Sequence, residues 1–333
     1  MSFLTDPAPP PVRVARVARV DRSAYDVLTA EGALLRVPAL PVPDDPVLAP
    51  TVGDWLTLVD GRPVEVLPRS SLLTRGAVSG RSESQPLAAN VDVVLICAGL
   101  HAPPSLRRIE RLLTVAWESG ATPVVMLTKA DLCADVDAAL ERVRPHAPGA
   151  AVISVAAAVG DVAALEPYAS AGKTLVLLGS SGAGKSTVVN ALAGRDVMAT
   201  GDVREVDGKG RHTTTHRELI VLPGGAVVID TPGLRGVGLA ASAGEGYTLA
   251  FADVEELAVA CRFADCSHLA EPGCAVLASI AAGDLSEERV DSWRRLGREL
   301  AFQARRHDAR LRSEQRGTWK ALSKAQRARG HRP

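Results

Sequence analysis

The stretch Gly179-Ser180-Ser181-Gly182-Ala183-Gly184-Lys185-Ser186-Thr187 carries the spacing G-x-x-x-x-G-K-[ST]. Glycines at these positions let successive backbone N–H groups turn inward and form a nest for anionic oxygens. A helix opening just after them would add the positive end of its dipole. Lys185 would then reach the β- and γ-phosphates of a nucleotide, and the Ser186 hydroxyl would ligate Mg²⁺. The motif carries weight only between a strand and a helix. Thr174-Leu175-Val176-Leu177-Leu178 reads as a buried parallel strand, and Thr187-Val188-Val189-Asn190-Ala191-Leu192-Ala193 as a helix. The full motif with both flanks disfavours the bland alternative, a Gly/Ser connection without a ligand.

Thr128-Lys129-Ala130-Asp131 follows another apolar run, Pro123-Val124-Val125-Met126-Leu127. It resembles the guanine-reading motif of GTPases, N-K-x-D. A carboxylate at Asp131 can accept both the N1–H and the N2 amino protons of guanine, a donor pair that adenine lacks. Lys129 would lie along the base and ribose and pack against the phosphate loop. Thr128 departs from the motif: its hydroxyl can bond locally but cannot reproduce the Asn amide. Alone, the tetrapeptide reads equally well as a surface turn. Ile153-Ser154-Val155-Ala156 is similar to the short motif whose amide contacts guanine O6. After the phosphate loop, Gly208-Lys209-Gly210-Arg211-His212-Thr213-Thr214-Thr215 looks like a first switch, with Thr214 on Mg²⁺ and the γ-phosphate. Val227-Val228-Ile229-Asp230-Thr231-Pro232-Gly233 reads as a strand ending in D-x-x-G. Asp230 would hold Mg²⁺ through water, and the Gly233 amide would sense the γ-phosphate. Leu234 stands where many GTPases carry the Gln that orients water. Slow intrinsic hydrolysis is expected, with His212 the candidate water-orienting group within the chain. A role for His212 in positioning the switch or contacting RNA carries equal weight.

Cys261, Cys266, His268 and Cys274 form C-x₄-C-x-H-x₅-C, which holds three of the five cysteines. Three thiolates and an imidazole close a tetrahedral Zn²⁺ shell, so one structural zinc is expected. The metal would supply the fold energy of a segment too short to build a core. Cys97 and Cys133 read as packing residues. Between 292 and 333, thirteen Lys and Arg stand against three acidic residues, a net +10 that favours a phosphate backbone. A solvated helix face followed by an unstructured tail is the alternative.

The elements that must position these groups divide the chain. Residues 1–11 are Pro-rich and are expected to be disordered. Five short runs between 12 and 68, joined by Gly turns such as Ala30-Glu31-Gly32 and Asp60-Gly61, suggest a small β-barrel of the OB type. A β-rich module without RNA contact fits those residues as well. Residues 69–238 form an α/β domain, and the polar stretch Arg69 to Asn90 is expected to be an irregular linker leading into it. Its strands, 91–98, 123–127, 151–155 and 174–178, alternate with helices at 105–119 and 138–143, which indicates a parallel sheet with ligands at the strand C-terminal ends. A mainly helical zinc domain follows over 239–312, helical from Ser286, and a basic tail over 313–333. The whole-chain charge is balanced, 38 against 38, and names no partner. No apolar run reaches the ~20 residues of a membrane span. The N-terminus has no basic region followed by an apolar core, and the cysteine usage suits a reducing compartment. A cytoplasmic monomer is expected.

In an ordinary GTPase the base-reading motif comes last, whereas here Asp131 precedes Lys185. That order marks a circularly permuted GTPase. Together with G-R-H-T-T-T at 210–215, the cysteine motif and Gln85-Pro86-Leu87-Ala88-Ala89-Asn90-Val91-Asp92, it makes the chain resemble the ribosome small-subunit-dependent GTPase A family, RsgA or YjeQ, over nearly all of residues 12–333. The resemblance implies an OB domain, a permuted GTPase domain and a zinc domain. It implies binding to the immature small ribosomal subunit and its rRNA, a late role in maturation, and hydrolysis stimulated by that subunit. The permuted order runs the switches on directly toward the zinc domain and basic tail, which suggests a clamp in which the γ-phosphate state, sensed at Gly179–Thr187, reorients an RNA-binding domain. Two other functions remain open on the residues: a P-loop ATPase or kinase, and a nucleotide-dependent RNA-binding protein without significant hydrolysis.

Overall fold

The computed structural model describes residues 12–75, 85–199, 217–230 and 243–305. The first strand, β1 (Val12–Val20), pairs antiparallel with β2 (Ala24–Thr29), and β2 pairs with β3 (Leu34–Pro38). On its other edge β1 first pairs with β4 (Trp55–Val59), which pairs with β5 (Arg62–Val66). Ala15, Val17, Tyr25, Val27, Leu56 and Leu58 close a small core between them. Past Arg16 the second edge of β1 leaves β4 and pairs with a strand of the α/β domain in the same sheet, with Arg19 opposite Glu218.

The stretch read as an irregular linker contains a two-stranded ribbon instead. β6 (Leu72–Arg75) pairs antiparallel with β7 (Gln85–Ala89). Each strand is short and ends in polar residues, so neither gave a clear period.

The near-continuous apolar runs became parallel strands buried on both faces, as their composition requires. They are β8 (Val93–Gly99), β9 (Thr122–Thr128), β10 (Ala151–Ser154) and β11 (Thr174–Gly179). β12 (Glu218–Val221), which the sequence reading did not single out, pairs antiparallel with β13 (Val227–Asp230). Among the described residues the order across the sheet is β10-β9-β8-β11-β13-β12-β1-β2-β3. Period-two alternation divides the two faces. Val93, Leu95 and Cys97 of β8 join one core with Val188 and Val189, while Val94 and Ile96 join the other with Ile109 and Leu113.

Helices cover these faces. α1 (Leu106–Glu118) lies between Ser105 and Ser119, close to the expected bounds, and α2 is Val136–Val143. α3 (Lys185–Ala193) follows the phosphate loop. The C-terminal unit comprises α4 (Gly244–Ala250), α5 (Ala252–Val259), α6 (Ala275–Ala282) and a last helix, α7, over 287–305. Phe251, Val254, Val276 and Val290 of this unit share one core with α1.

Two joints lock the units together. Gly53, at φ +94°, sits so close to the sheet that a Cβ would lie 2.2 Å from the Ala89 carbonyl oxygen. The buried Arg16 donates to the carbonyls of Gly53 at 3.2 Å and Asn90 at 3.1 Å, stitching β1 to the start of the α/β domain. At the other end Arg289 on α7, 2 % exposed, donates to Glu110 on α1 at 2.9 Å and to both carboxylate oxygens of Asp253 on α5. Burial alone would lower the Arg289 pKa, but Asp253 and Glu110 hold it above its ordinary value.

Candidate nucleotide site and metal centre

β11 delivers Gly179 to the C-terminal edge of the sheet, between β8 and β13. Only glycine passes there. A Cβ on Gly179 would lie 2.5 Å from the Cys97 carbonyl oxygen. Beneath it the Cys97 thiol is buried, which pushes its pKa up to about 12 and leaves it a neutral packing group, as expected. The loop of Ser180, Ser181, Gly182, Ala183 and Gly184 leads into α3, which begins at Lys185 and carries Ser186 and Thr187 in its first turn. Lys185 Nζ donates to the carbonyls of Gly179 at 3.0 Å and Ser180 at 2.8 Å, so the ammonium is held over the loop. Asp230 ends the neighbouring β13. Burial pushes its pKa up, the nearby Lys185 charge pulls it down, and Glu218 raises it again. The strand end thus brings Lys185, Ser186 and Asp230 to one edge, the donor set that a Mg²⁺–phosphate group needs.

The base-reading candidates arrive from the other side. β9 ends at Thr128, Lys129 takes a left-handed φ of 58°, and the turn Ala130–Leu132 presents Asp131. β10 abuts this turn: Val155 N–H donates to Leu127 at 2.9 Å, and Ala130 N–H donates to Val155 at 3.2 Å. Thr128 is fully buried, and its hydroxyl donates to the carbonyl of Ala183 at 2.7 Å. The candidate base-reading turn is thereby tied directly to the phosphate loop. His212, Thr214, Gly233 and Leu234 lie outside the described residues.

Cys261, Cys266, His268 and Cys274 converge, with their ligand atoms all within 4.8 Å of one another. A Zn²⁺ tetrahedron built from ordinary bond lengths has S···S edges of about 3.8 Å and S···N edges of about 3.6 Å. Here Cys261 Sγ lies 3.8 Å from Cys274 Sγ, and His268 Nδ1 lies 3.4 Å and 3.5 Å from those two sulfurs. The donor set therefore fits one zinc ion. Surrounding groups orient it, as second-layer contacts do in metal sites. Ala275 N–H points at Cys261 Sγ and Leu277 N–H at Cys274 Sγ, 3.3 and 3.5 Å away. Glu271 accepts from the Ser267 hydroxyl and from the N–H groups of Ser267, Leu269 and Ala270, which holds its pKa far below the usual carboxylate range. That fixes the loop carrying His268, whose φ is 58°. Trp293 of α7 packs edge-on against the His268 ring at 5.3 Å.

Sequence reasoning missed Asn190. It sits on an otherwise apolar stretch of α3 and spends its whole amide on the segment that follows. Oδ1 accepts from Val197 and Met198 N–H, and Nδ2 donates to Asp196 and to the Met198 carbonyl. The signal was present: a lone amide among Val188, Val189 and Leu192 must find partners if buried. The Glu110–Arg289 pair had no such signal, because its members are 179 residues apart.

Comparison with known proteins agrees with this geometry. The family model described as RsgA GTPase matches residues 66–240. A protein of Streptomyces avermitilis named "Small ribosomal subunit biogenesis GTPase RsgA" is 50% identical over 312 residues, spanning 92% of this chain and 84% of its own. One of the same name from Streptomyces coelicolor is 49% identical over 320 residues, spanning 93% and 87%. The crystal structure of YjeQ from Thermotoga maritima superposes with a TM-score of 0.64 at 24% identity, over 87% of this chain and 99% of that one. YloQ, described as a circularly permuted GTPase, gives 0.63 at 23% identity, over 91% and 99%. The permuted order of base-reading turn and phosphate loop is thus that of the solved folds, the reading as an ATPase or kinase gives way, and the chain belongs to the RsgA GTPase family.

Proposed function

We propose that this GTPase hydrolyses GTP during late maturation of the small ribosomal subunit, with turnover stimulated by that subunit. The observation that carries the reading is the Thr128–Ala183 bond, which makes the guanine-reading turn and the phosphate loop one site. The name of the relatives supplies the partner. In this reading Asp131 reads guanine, Lys129 lies along base and ribose, and the amides of Gly179–Thr187 hold the phosphates. Ser186 and Thr214 hold Mg²⁺ directly and Asp230 holds it through water; when bound, the ion offsets charge on the transferred phosphoryl group. Thr214 and Gly233 sense the γ-phosphate, and His212 orients water in place of the Gln that Leu234 cannot mimic. One structural zinc sits on Cys261, Cys266, His268 and Cys274.

Residues 12–68 act as an OB unit, supported by a β1 strand shared between β2 and β4 and by the approach of β3 to β5. Residues 69–238 form the GTPase domain. The zinc-binding unit over 239–312 and the tail over 313–333 add basic contacts to rRNA phosphates. The protein works as a cytoplasmic monomer and has no membrane partner. Among the described residues no helix is long and apolar enough to cross a membrane. Co-sedimentation with purified subunits in a non-hydrolysable GTP analogue tests the assignment: binding to small subunits is expected, and binding confined to large subunits would contradict it. Leu234 favours a second reading, nucleotide-dependent RNA binding without significant hydrolysis. Single-turnover hydrolysis on the subunit separates the two.

A further inference from the structure

β12 pairs on both sides. Glu218 stands directly opposite Asp230 of β13 and directly opposite Arg19 of β1. Opposed residues on antiparallel strands point to the same face, with Cβ atoms about 4.5–5.5 Å apart. Arg19, Glu218 and Asp230 are therefore one row of side chains across three strands, about 10 Å from end to end at the usual strand spacing. Exposure follows the row: Glu218 is exposed, while Asp230 and Arg19 are half-buried. Lys185 faces Asp230 from the phosphate loop, and Asp21 pairs with Arg19 at 3.2 Å.

We propose that Glu218 is a positioning residue for the Mg²⁺ site, and that Arg19 of the N-terminal barrel opposes it, so that what the barrel binds changes how tightly Asp230 helps hold the cation. The proposal rests on the reading that Asp230 holds Mg²⁺. A carboxylate one strand away deepens the negative potential at Asp230 and favours a divalent cation, whereas a guanidinium two strands away offsets it. A nucleic-acid phosphate drawn to Arg19 would cancel that offset. Engagement of RNA by the barrel then tightens Mg²⁺ at the nucleotide, with no movement of the strands required.

The test is the Mg²⁺ concentration dependence of fluorescent GDP release from the full chain. Glu218→Gln is expected to weaken Mg²⁺ by about tenfold and Arg19→Gln, twice as far away, to tighten it by about threefold, as expected for single charges at these separations near a protein surface. Arg19→Lys should match the parent. A single-stranded RNA oligonucleotide should tighten Mg²⁺ in the parent and add nothing in Arg19→Gln. Shifts of the same sign for Glu218→Gln and Arg19→Gln, or none, would overturn the proposal, and thermal melts of each variant exclude misfolding. Asp230→Asn is the control: if it leaves the Mg²⁺ dependence intact, the reading of Asp230 itself is wrong. If it abolishes that dependence while Glu218→Gln changes nothing, only the row is wrong.

Discussion

The Thr128 hydroxyl donates to the Ala183 carbonyl at 2.7 Å, joining two loops that stand 55 residues apart. A hydroxyl has one proton, and Thr128 spends it here. In the proposed reading, discrimination between bases then falls to Asp131, and Thr128 holds the base and phosphate loops in register. Thr128→Val should weaken GDP and GTP equally, by about tenfold, because it leaves a buried carbonyl without its partner. The preference for guanine over hypoxanthine nucleotides should stay unchanged, and Thr128→Ser should restore affinity. Equilibrium titrations with the four nucleotides check this.

Asp230 is held with a raised pKa, first by burial. A carboxyl group with a folded pKa above its unfolded value favours folding below the unfolded pKa. That contribution is lost as pH rises through the folded pKa. Above that raised pKa the Asp230 carboxylate thus weighs against the nucleotide-free fold. Asp230→Asn should raise the melting temperature of the nucleotide-free protein while removing the stabilisation that GTP and Mg²⁺ add together. Differential scanning calorimetry with and without both ligands measures the two effects.

Breaking the buried joint between α1 and α7 should be costly. Arg289→Leu takes the guanidinium from the buried Glu110, which keeps only His146 Nδ1 at 2.6 Å, and from Asp253, an effect of about 3 kcal/mol. Replacing Glu110 by Gln and Arg289 by Met together should cost less than Arg289→Leu alone. Urea unfolding of the three variants gives the comparison.

Much of the α/β domain was legible because its strands are apolar runs bounded by motif residues. Thr122–Thr128 and Thr174–Gly179 each end where a loop of functional type begins. The convergence of Cys261, Cys266, His268 and Cys274 was legible for a similar reason: their chemistry is local in sequence. What stayed hidden was long-range. Nothing in Glu218 announces a strand that continues the sheet into the N-terminal barrel, since four residues give too short a period. Chain order suggested that the zinc-binding unit hangs from the switch region. Its packing also clamps it to α1 through Arg289, next to the base-reading half, and that follows only from residues distant in sequence. The Glu271 carboxylate that fixes the His268 loop was equally silent, because an acidic residue near a metal motif looks like any surface acid.

Zinc should be stoichiometric, about one ion per chain by elemental analysis, given a single tetrahedral donor set. Chelation should lower the melting temperature and the helical signal, because the 261–274 segment has little apolar core of its own. Unchanged helicity after the metal has been removed would show that the cluster is not structural.

The most direct measurement is steady-state GTP turnover by the full chain, alone and with purified small or large ribosomal subunits, over a range of salt. Slow turnover alone is expected, with marked stimulation by small subunits that fades as salt rises, because the contacts are to phosphate. Equal turnover with and without small subunits, or stimulation by large subunits only, would contradict it.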